Sequence, residues 1–327
     1  MSPAARAGAG RPRVACTAPP AFPDLHDDWP LQRAAMAAAG LEPAAVVWSD
    51  PGVDWSTFGL VVANGAWDNI HHVDEFLRWI DHVESLGVPV VNNPATLRWN
   101  LDKRYLRELA SAGVPIVPTQ WVEPSAAGSD LHGESDDATG FDVDFDLGLE
   151  LEPDGEVVVK PAVSGGGFQT ARYRLHEHDA ALAHIAALVR SGSVAMVQPY
   201  QASVDGDGET GLIFLGGAYS HAIHKDPMIR AGVAPGQSLI DNQVVTAASA
   251  SSEELELGHR AVAAAEALLG PTTYARVDMV RGDDGRPALL ELELLDPVLF
   301  MTTAPESADR FAEVLVRALM TEEGRPT

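Results

Sequence analysis

Residues 156–174 constrain this chain more than any other stretch. Glu-Val-Val-Val-Lys160-Pro161 is followed by Ala-Val-Ser164-Gly165-Gly166-Gly167-Phe168, and Gln169–Arg174 is again rich in β-formers and alternating. A strand therefore delivers a lysine, a glycine run turns the chain, and a second strand returns. Three glycines without Cβ atoms let backbone N–H groups come close to an anion. No Gly-Lys-Ser/Thr follows them, so this is not a P-loop. A strand rather than a helix comes next, so it is not a dinucleotide fingerprint either. What remains is a strand–loop–strand flap suited to covering phosphates, with a glycine hairpin beside a surface lysine as the plain alternative.

The lysine matters because lysine is scarce. Of 22 basic side chains 19 are arginine, leaving Lys103, Lys160 and Lys225. Lysine offers a compact point charge on a flexible stem, where arginine offers a planar fork. The net charge is −25. Such a surface repels nucleic acid and anionic membranes, so neither is expected as a partner. No apolar run reaches membrane-spanning length, and the first twelve residues are small, polar and basic, read as a disordered leader rather than a signal peptide. The single cysteine, Cys16, lies in an apolar run and reads as a buried strand residue. One cysteine forms no internal disulfide and fits a cytoplasmic protein.

The first third alternates strand and helix: Val14–Thr17, helix Leu31–Ala39, Ala44–Trp48, Leu60–Ala63, helix Val73–Leu86, Pro89–Val91. This predicts a small open α/β sheet over residues 13–97 with helices on both faces. Ligands in such sheets lie beyond the carboxyl ends of strands, which is where Asn64-Gly-Ala-Trp67-Asp68-Asn69 falls. A helix over Leu101–Ala112, with Lys103 in its first turn, and a strand over Ile116–Val122 open a central part spanning 98–198. Residues 123–140 read as an acidic loop. The alternating Asp142, Asp144 and Asp146 imitate a calcium loop, but Leu147 and Pro153 stand where Gly and Glu are required, so calcium is rejected. The last part, 199–327, holds strands at Thr210–Leu215 and Ala218–Lys225, a loop over Asp226–Asp241, a helix at Glu253–Leu269, a hairpin of Tyr274–Val280 with Ala288–Leu294, and a closing helix Ser307–Met320.

The hairpin is the second chemical signal. Glu291 and Glu293 are two apart in an otherwise apolar strand and share a face; Asp278 is similarly set on the other strand. Paired in register they bring three carboxylates together, an all-oxygen set suited to Mg²⁺. Arg276 shares the face of Asp278. A weaker signal is Met196-Val-Gln198-Pro199-Tyr200, a buried strand ending in a segment able to present backbone groups to a base. His221 and His224 lie on opposite strand faces and cannot chelate together.

In this order and spacing the pieces resemble the ATP-grasp superfamily over about residues 90–300. The stretch Asn93–Lys103, the pairing of Trp67-Asp68 with Phe76, and Leu290–Pro297 look most like the cyclo-ligases that close O-ureido-D-serine to D-cycloserine. The sequence departs from the pattern at Glu293, where the wider superfamily often has Asn, and at Asn64-Gly-Ala before Trp67. The resemblance implies an ATP-grasp fold, α/β and α+β: a small N-terminal α/β domain, a central flap subdomain and a C-terminal α+β subdomain. It implies a carboxylate–amine ligase that uses ATP and one or two Mg²⁺ ions (Mn²⁺ being an alternative) on an amino-acid-like small molecule, through an acyl phosphate and with intramolecular cyclisation as one form.

In that reading Lys103, Lys160 and Ser164–Gly167 hold phosphates, and Gln198, Pro199 and Tyr200 form the adenine hinge. Glu209 meets ribose or metal, and Asp278, Glu291 and Glu293 hold the metal. Arg276, Lys225 and Arg230 contact the γ-phosphate or substrate; Asn64, Trp67, Asp68 and His224 line the substrate side. Two other readings stay open here, an ATP-dependent phosphotransferase and a non-catalytic nucleotide-binding module. Phe76, Leu77, Trp79 and Ile80 make the second helix more apolar than one core face requires, which points to a homodimer contact.

Overall fold

The computed structural model describes residues 10–22, 24–124, 155–229, 235 and 243–323, with residues 322 and 323 described by backbone only. The N-terminal sheet contains β1 (Arg13–Ala18), β2 (Glu42–Val47), β3 (Leu60–Val62) and β4 (Val90–Val91), parallel and ordered β2-β1-β3-β4. Its connections carry α1 (Trp29–Ala38) and α2 (Val73–Ser85). Period-2 alternation sends Val14, Cys16, Leu60 and Val62 to one core and Ala15, Val61 and Ala63 to another, so both faces are buried. Phe76, Trp79 and Ile80 of α2 are buried in the second core, with Leu77 packed at its edge. The apolar surplus that pointed to a dimer contact is thus used within the domain.

After β4, Asn93 accepts from Thr96 N at 2.9 Å and Pro94 takes the first turn of α3 (Pro94–Asn100). This N-cap followed by Pro is a helix start signal. The expected single helix from Leu101 is instead two, α3 and α4 (Tyr105–Ser111), and Lys103 stands in the break between them. The expected strand Ile116–Val122 also divides, at Pro118, which has no N–H to give a ladder. Pro115–Val117 pairs with Leu289 of the C-terminal sheet, and β5 (Gln120–Val122) joins the central one.

The central sheet, ordered β5-β8-β6-β7, adds β6 (Glu156–Pro161), β7 (Ala171–Arg174) and β8 (Ala195–Pro199), all antiparallel. α5 (His178–Arg190) covers one face, against Val157, Val159, Ala195 and Val197. Alternation therefore sends Lys160 and its ladder partner Met196 to the other face. The short α6 (Val204–Asp207), absent from the sequence reading, leads to the third sheet.

That sheet is antiparallel, ordered β11-β10-β9-β12-β13: β9 (Glu209–Leu215), β10 (Ala218–Lys225), β11 (Val245–Ala248), β12 (Tyr274–Arg281) and β13 (Pro287–Glu293). α7 (Ser252–Leu269) packs on Leu212, Phe214, Ala275, Val277 and Leu292. α8 (Ser307–Glu323) returns to α1, where Phe311, Ala312 and Leu315 share one core with β1, β3 and Ile213 of β9. β11 falls just past the predicted loop 226–241. That loop lies mostly outside the described residues, as do Asp142, Asp144, Asp146 and most of the acidic stretch 123–140. No described helix is long and apolar enough to cross a membrane.

Candidate active site

The face of the C-terminal sheet turned away from α7 carries the charges. In register, Asp278 lies opposite Glu291 on one side and Gly211 on the other; Arg276 lies opposite Glu293, and Lys225 opposite Glu209. Directly paired residues share a face, so alternation places Glu209, Lys225, Arg276, Asp278, Glu291 and Glu293 together while Leu212, Val277 and Leu292 fill the core behind them. Gly211 makes room for this. A Cβ there would lie 2.8 Å from Ile223 Cγ1 and 2.9 Å from Asp278 Oδ1.

All three lysines of the chain meet here, buried at 5%, 8% and 5% exposure for Lys103, Lys160 and Lys225. Lys225 Nζ reaches Glu209 and Asp278, each at 2.9 Å. Burial opposes its charge, but Asp278 and Glu209 outweigh this and hold its pKa above the ordinary value. Lys103 Nζ donates to the carbonyl of Ser164 and to its Oγ at 3.3 Å, and pairs with Glu291 at 3.1 Å. Lys160 differs: among the described residues no hydrogen bond or ion pair reaches its ammonium. Burial, with Lys103 and Lys225 nearby, pushes its pKa down to about 8. A buried cation without a partner is costly, and this one stands at the strand end that opens the glycine loop.

The loop closes over the site. Lys103 N donates to Ala162 O at 2.9 Å, and Gly166 and Gly167 take φ of 57° and 73°, a region that glycine enters without strain. Phe168 meets the His71 ring edge-on at 4.7 Å between centroids, so the flap touches the 3-10 turn Trp67–His71 of the N-terminal domain.

Arg276 binds Asp278 through Nε at 3.1 Å and Nη2 at 3.0 Å, Glu293 through Nη2, and the Val298 carbonyl through Nη1 at 3.0 Å. Burial raises the pKa of Asp278, but Arg276 and Lys225 more than reverse it. Glu293 is left with the smaller share of Arg276. Burial, reinforced by Glu291 and Asp278, lifts it to about 8. The three carboxylates are adjacent as the alternation predicted, but cations interleave them. Among the described residues no three His, Cys, Asp or Glu side chains stand gathered around one metal position. Their chemistry nonetheless fits Mg²⁺: oxygen donors only, on one face, with a glutamate that a divalent cation would hold ionised.

The hinge and substrate-side residues are more dispersed. Gln198 donates to Thr119 Oγ1 at 2.8 Å, and Pro199 O accepts from Gln201. The Tyr200 ring lies under Arg172, 3.4 Å from guanidinium carbon to centroid, and its hydroxyl donates to Asp205 at 2.6 Å. The Gln198 and Tyr200 side chains are thus occupied within the protein, and the Tyr200 backbone N–H is held too, donating to Glu156 O at 2.7 Å. Asp68 is turned inward and accepts from Trp48 Nε1 at 2.6 Å, away from the charged face. His224 pairs with Asp226 at 3.3 Å, and Arg230 lies outside the described residues. Asn64 is fully buried with both amide atoms unpartnered. Trp67 Nε1 donates to the Asp296 carbonyl at 2.9 Å, and Asn69 Nδ2 to the Asp296 carboxylate at 2.7 Å. Asp296 was not singled out in the sequence, where the run Leu290–Pro297 was its only trace, and Asn69 figured only as the end of the segment Asn64–Asn69 beyond the third strand.

The chain's sequence and fold are similar to those of known proteins. A family model described as the N-terminal domain of D-cycloserine synthetase DcsG matches residues 14–92. The cycloserine biosynthesis protein DcsG of Streptomyces lavendulae is 36% identical over 296 residues, covering 89% of this chain and 94% of that protein. This chain belongs to the D-cycloserine synthetase family of ATP-grasp ligases. The crystal structure of D-cycloserine synthetase DcsG superposes with a TM-score of 0.82 at 34% identity, covering 94% of this chain and 99% of the other. A D-alanine–D-alanine ligase from Bacillus anthracis complexed with ATP shares the fold, with a TM-score of 0.60 at 16% identity over 95% of this chain and 98% of its own. Membership makes the chain an enzyme, a carboxylate–amine ligase of the ADP-forming class, and the phosphotransferase and non-catalytic readings give way to it.

Proposed function

We propose that this ligase activates the carboxylate of a small amino-acid-like substrate as an acyl phosphate and closes an amide-type bond within the same molecule, as the cyclo-ligase resemblance implies for O-ureido-D-serine. The observation that carries the reading is Lys160, a buried ammonium beneath a glycine loop with no ion partner among the described residues. It is a site prepared for an anion that arrives from outside.

Lys160 and the backbone of Ser164–Gly167 hold the phosphates, joined by Lys103 once Ser164 moves. The backbone of 198–200 takes the adenine edge. Asp278, Glu291 and Glu293 would hold Mg²⁺, with Glu209 beside them; when bound, the ion neutralises charge growing on the transferred phosphoryl group. A substrate carboxylate oxygen attacks the γ-phosphorus, the bond from γ-phosphorus to the bridging oxygen breaks, and ADP leaves. A nitrogen of the same molecule then attacks the acyl carbon and phosphate departs with its oxygen. Arg276 and Lys225 steady the negative charge, and the closed flap keeps water from the acyl phosphate. No protein nucleophile takes part.

Hydroxylamine tests this. With ATP, Mg²⁺ and O-ureido-D-serine, the acyl phosphate is intercepted as a hydroxamate in step with ADP release. Amino-acid-independent ADP release with no hydroxamate at any hydroxylamine concentration would sink the reading.

A further inference from the structure

Residues 294–300, between β13 and the 3-10 turn Met301–Thr303, belong to no regular element, yet they are held from several sides. Tyr274 Oη lies 3.2 Å from the Leu295 carbonyl, Trp67 donates to that of Asp296 and Arg276 to that of Val298, the His221 ring lies 2.9 Å from the carbonyl of Leu299, and the 3-10 turn that follows is tied by Thr302 N to Asp28 at 3.0 Å. The segment is fixed, and it fixes the Asp296 side chain.

Asp296 meets Asn69. The Asn69 amide is oriented without ambiguity, because Nδ2 faces two acceptors, the Ala66 carbonyl and Asp296 Oδ2, both at 2.7 Å. Oδ1 of the same amide is buried and unpartnered, in a residue 1% exposed. Asp296 Oδ1 receives no hydrogen bond among the described residues, and no cation lies within pairing distance. Burial lifts the carboxyl to about 7 against the opposing pull of Asn69, Lys103 and Arg276. Two acceptor oxygens on one side-chain pair therefore have no donor among the described residues. An ammonium, with three donors and no acceptor, is suited to such a pair, and beside a carboxylate its charge is matched as well. Lys160 has the complementary defect, an ammonium with no anion at pairing distance among the described residues.

We infer that Asp296 and Asn69 form the subsite that binds the substrate's α-ammonium group. This rests on the proposed function and narrows its substrate class to amino acids with a free amine. An ammonium held there leaves the α-carboxylate only one carbon away, within the influence of the same Lys103 and Arg276 that act on Asp296. It also keeps the α-amine protonated and non-nucleophilic, so the nitrogen that closes the bond must be another one in the molecule.

The test is calorimetric, with a non-hydrolysable ATP analogue and Mg²⁺ present. The probes are O-ureido-D-serine and its desamino counterpart, 3-(ureidooxy)propanoate. Wild type prefers the ammonium-bearing probe by on the order of 30- to 100-fold, the weight of a charge-assisted contact. Asp296→Asn brings the two probes within about threefold while analogue affinity stays unchanged. Asn69→Ser, which leaves the carboxylate in place, shrinks the preference by a smaller factor. A wild type that does not discriminate, or an Asp296→Asn variant that still does, overturns the subsite. So does failure of wild type to bind either probe. The analogue titration in the same cell then shows whether the nucleotide site stands without it.

Discussion

Single residues here act through what they leave unsatisfied as much as through what they bind. Lys160 is the clearest case. Its replacement by alanine removes a buried cation that has no partner among the described residues, so no ion pair between them is lost. Affinity for a Mg²⁺–ATP analogue should fall on the order of 100-fold by calorimetry while the melting temperature holds or rises, since a buried unpaired charge is removed. An unchanged affinity would show that the phosphates do not meet this lysine. Asn92 is the opposite case, a buried amide with every contact made. It accepts from Thr273 N at 2.6 Å and donates to the carbonyls of Tyr274 and Leu294 at 2.9 and 2.7 Å. It joins the end of β4 to β12 and to the exit of β13. Asn92→Ala orphans three backbone groups and should cost about 3 kcal/mol in urea unfolding; a cost within experimental error would mean that water replaces the amide.

At the scale of elements, β9 and β12 show how a sheet makes a charged floor without losing its core. Gly211 is the small residue that lets Asp278 stand upright between Arg276 and Lys225. Gly211→Ala puts a Cβ 2.9 Å from a carboxylate already fixed from two sides. The fold should survive, judged by circular dichroism, and kcat/KM should drop on the order of 100-fold, as misplaced catalytic groups do. An alanine variant with wild-type turnover would mean that Asp278 is free to shift.

Much of this floor was legible beforehand, because strand alternation is a local property. Arg276-Val-Asp278 and Glu291-Leu-Glu293 declare a polar face and a buried one by residue type alone. The flap strands were legible for the same reason. What sequence did not reveal depends on distant partners. Asp68 looks like a site residue until Trp48 claims it. Tyr200 looks available until Arg172 covers it. Asp296 is an ordinary loop acid until the 3-10 turn at Trp67–His71 supplies Asn69. The split at Lys103 was readable in Asn93-Pro94, a local signal passed over because the apolar run starting at Leu101 reads as a helix by itself.

For the whole molecule, the histidines set a pH limit. Burial lowers the pKa of His26, His184 and His221 below the ordinary 6.5, with Asp28 and Asp27 opposing it at His26 and smaller contacts opposing it at the other two. The unfolded chain takes up protons near 6.5 while the folded one resists. The stabilisation is therefore complete above that pH and is lost as pH falls below it toward the lowered folded values. Glu293 and Asp296, whose carboxyls burial lifts to about 8 and about 7, act with the opposite sign over the same range, so the histidine share is read by difference: from pH 7 to 5 the melting temperature of wild type should fall relative to that of a His184→Gln variant, and parallel profiles would contradict the assignment. The core shared by β1, β3, α1, β9 and α8 has another consequence, one of timing. Synthesis runs from the N-terminus and domains commonly fold as they emerge. Here Val14, Leu60 and Val62 face Phe311 and Leu315, which are translated long after them. The first sheet is made early but cannot seal one of its faces until α8 has emerged, so the nascent protein must carry that face open, or shielded by a chaperone, while everything between is synthesised.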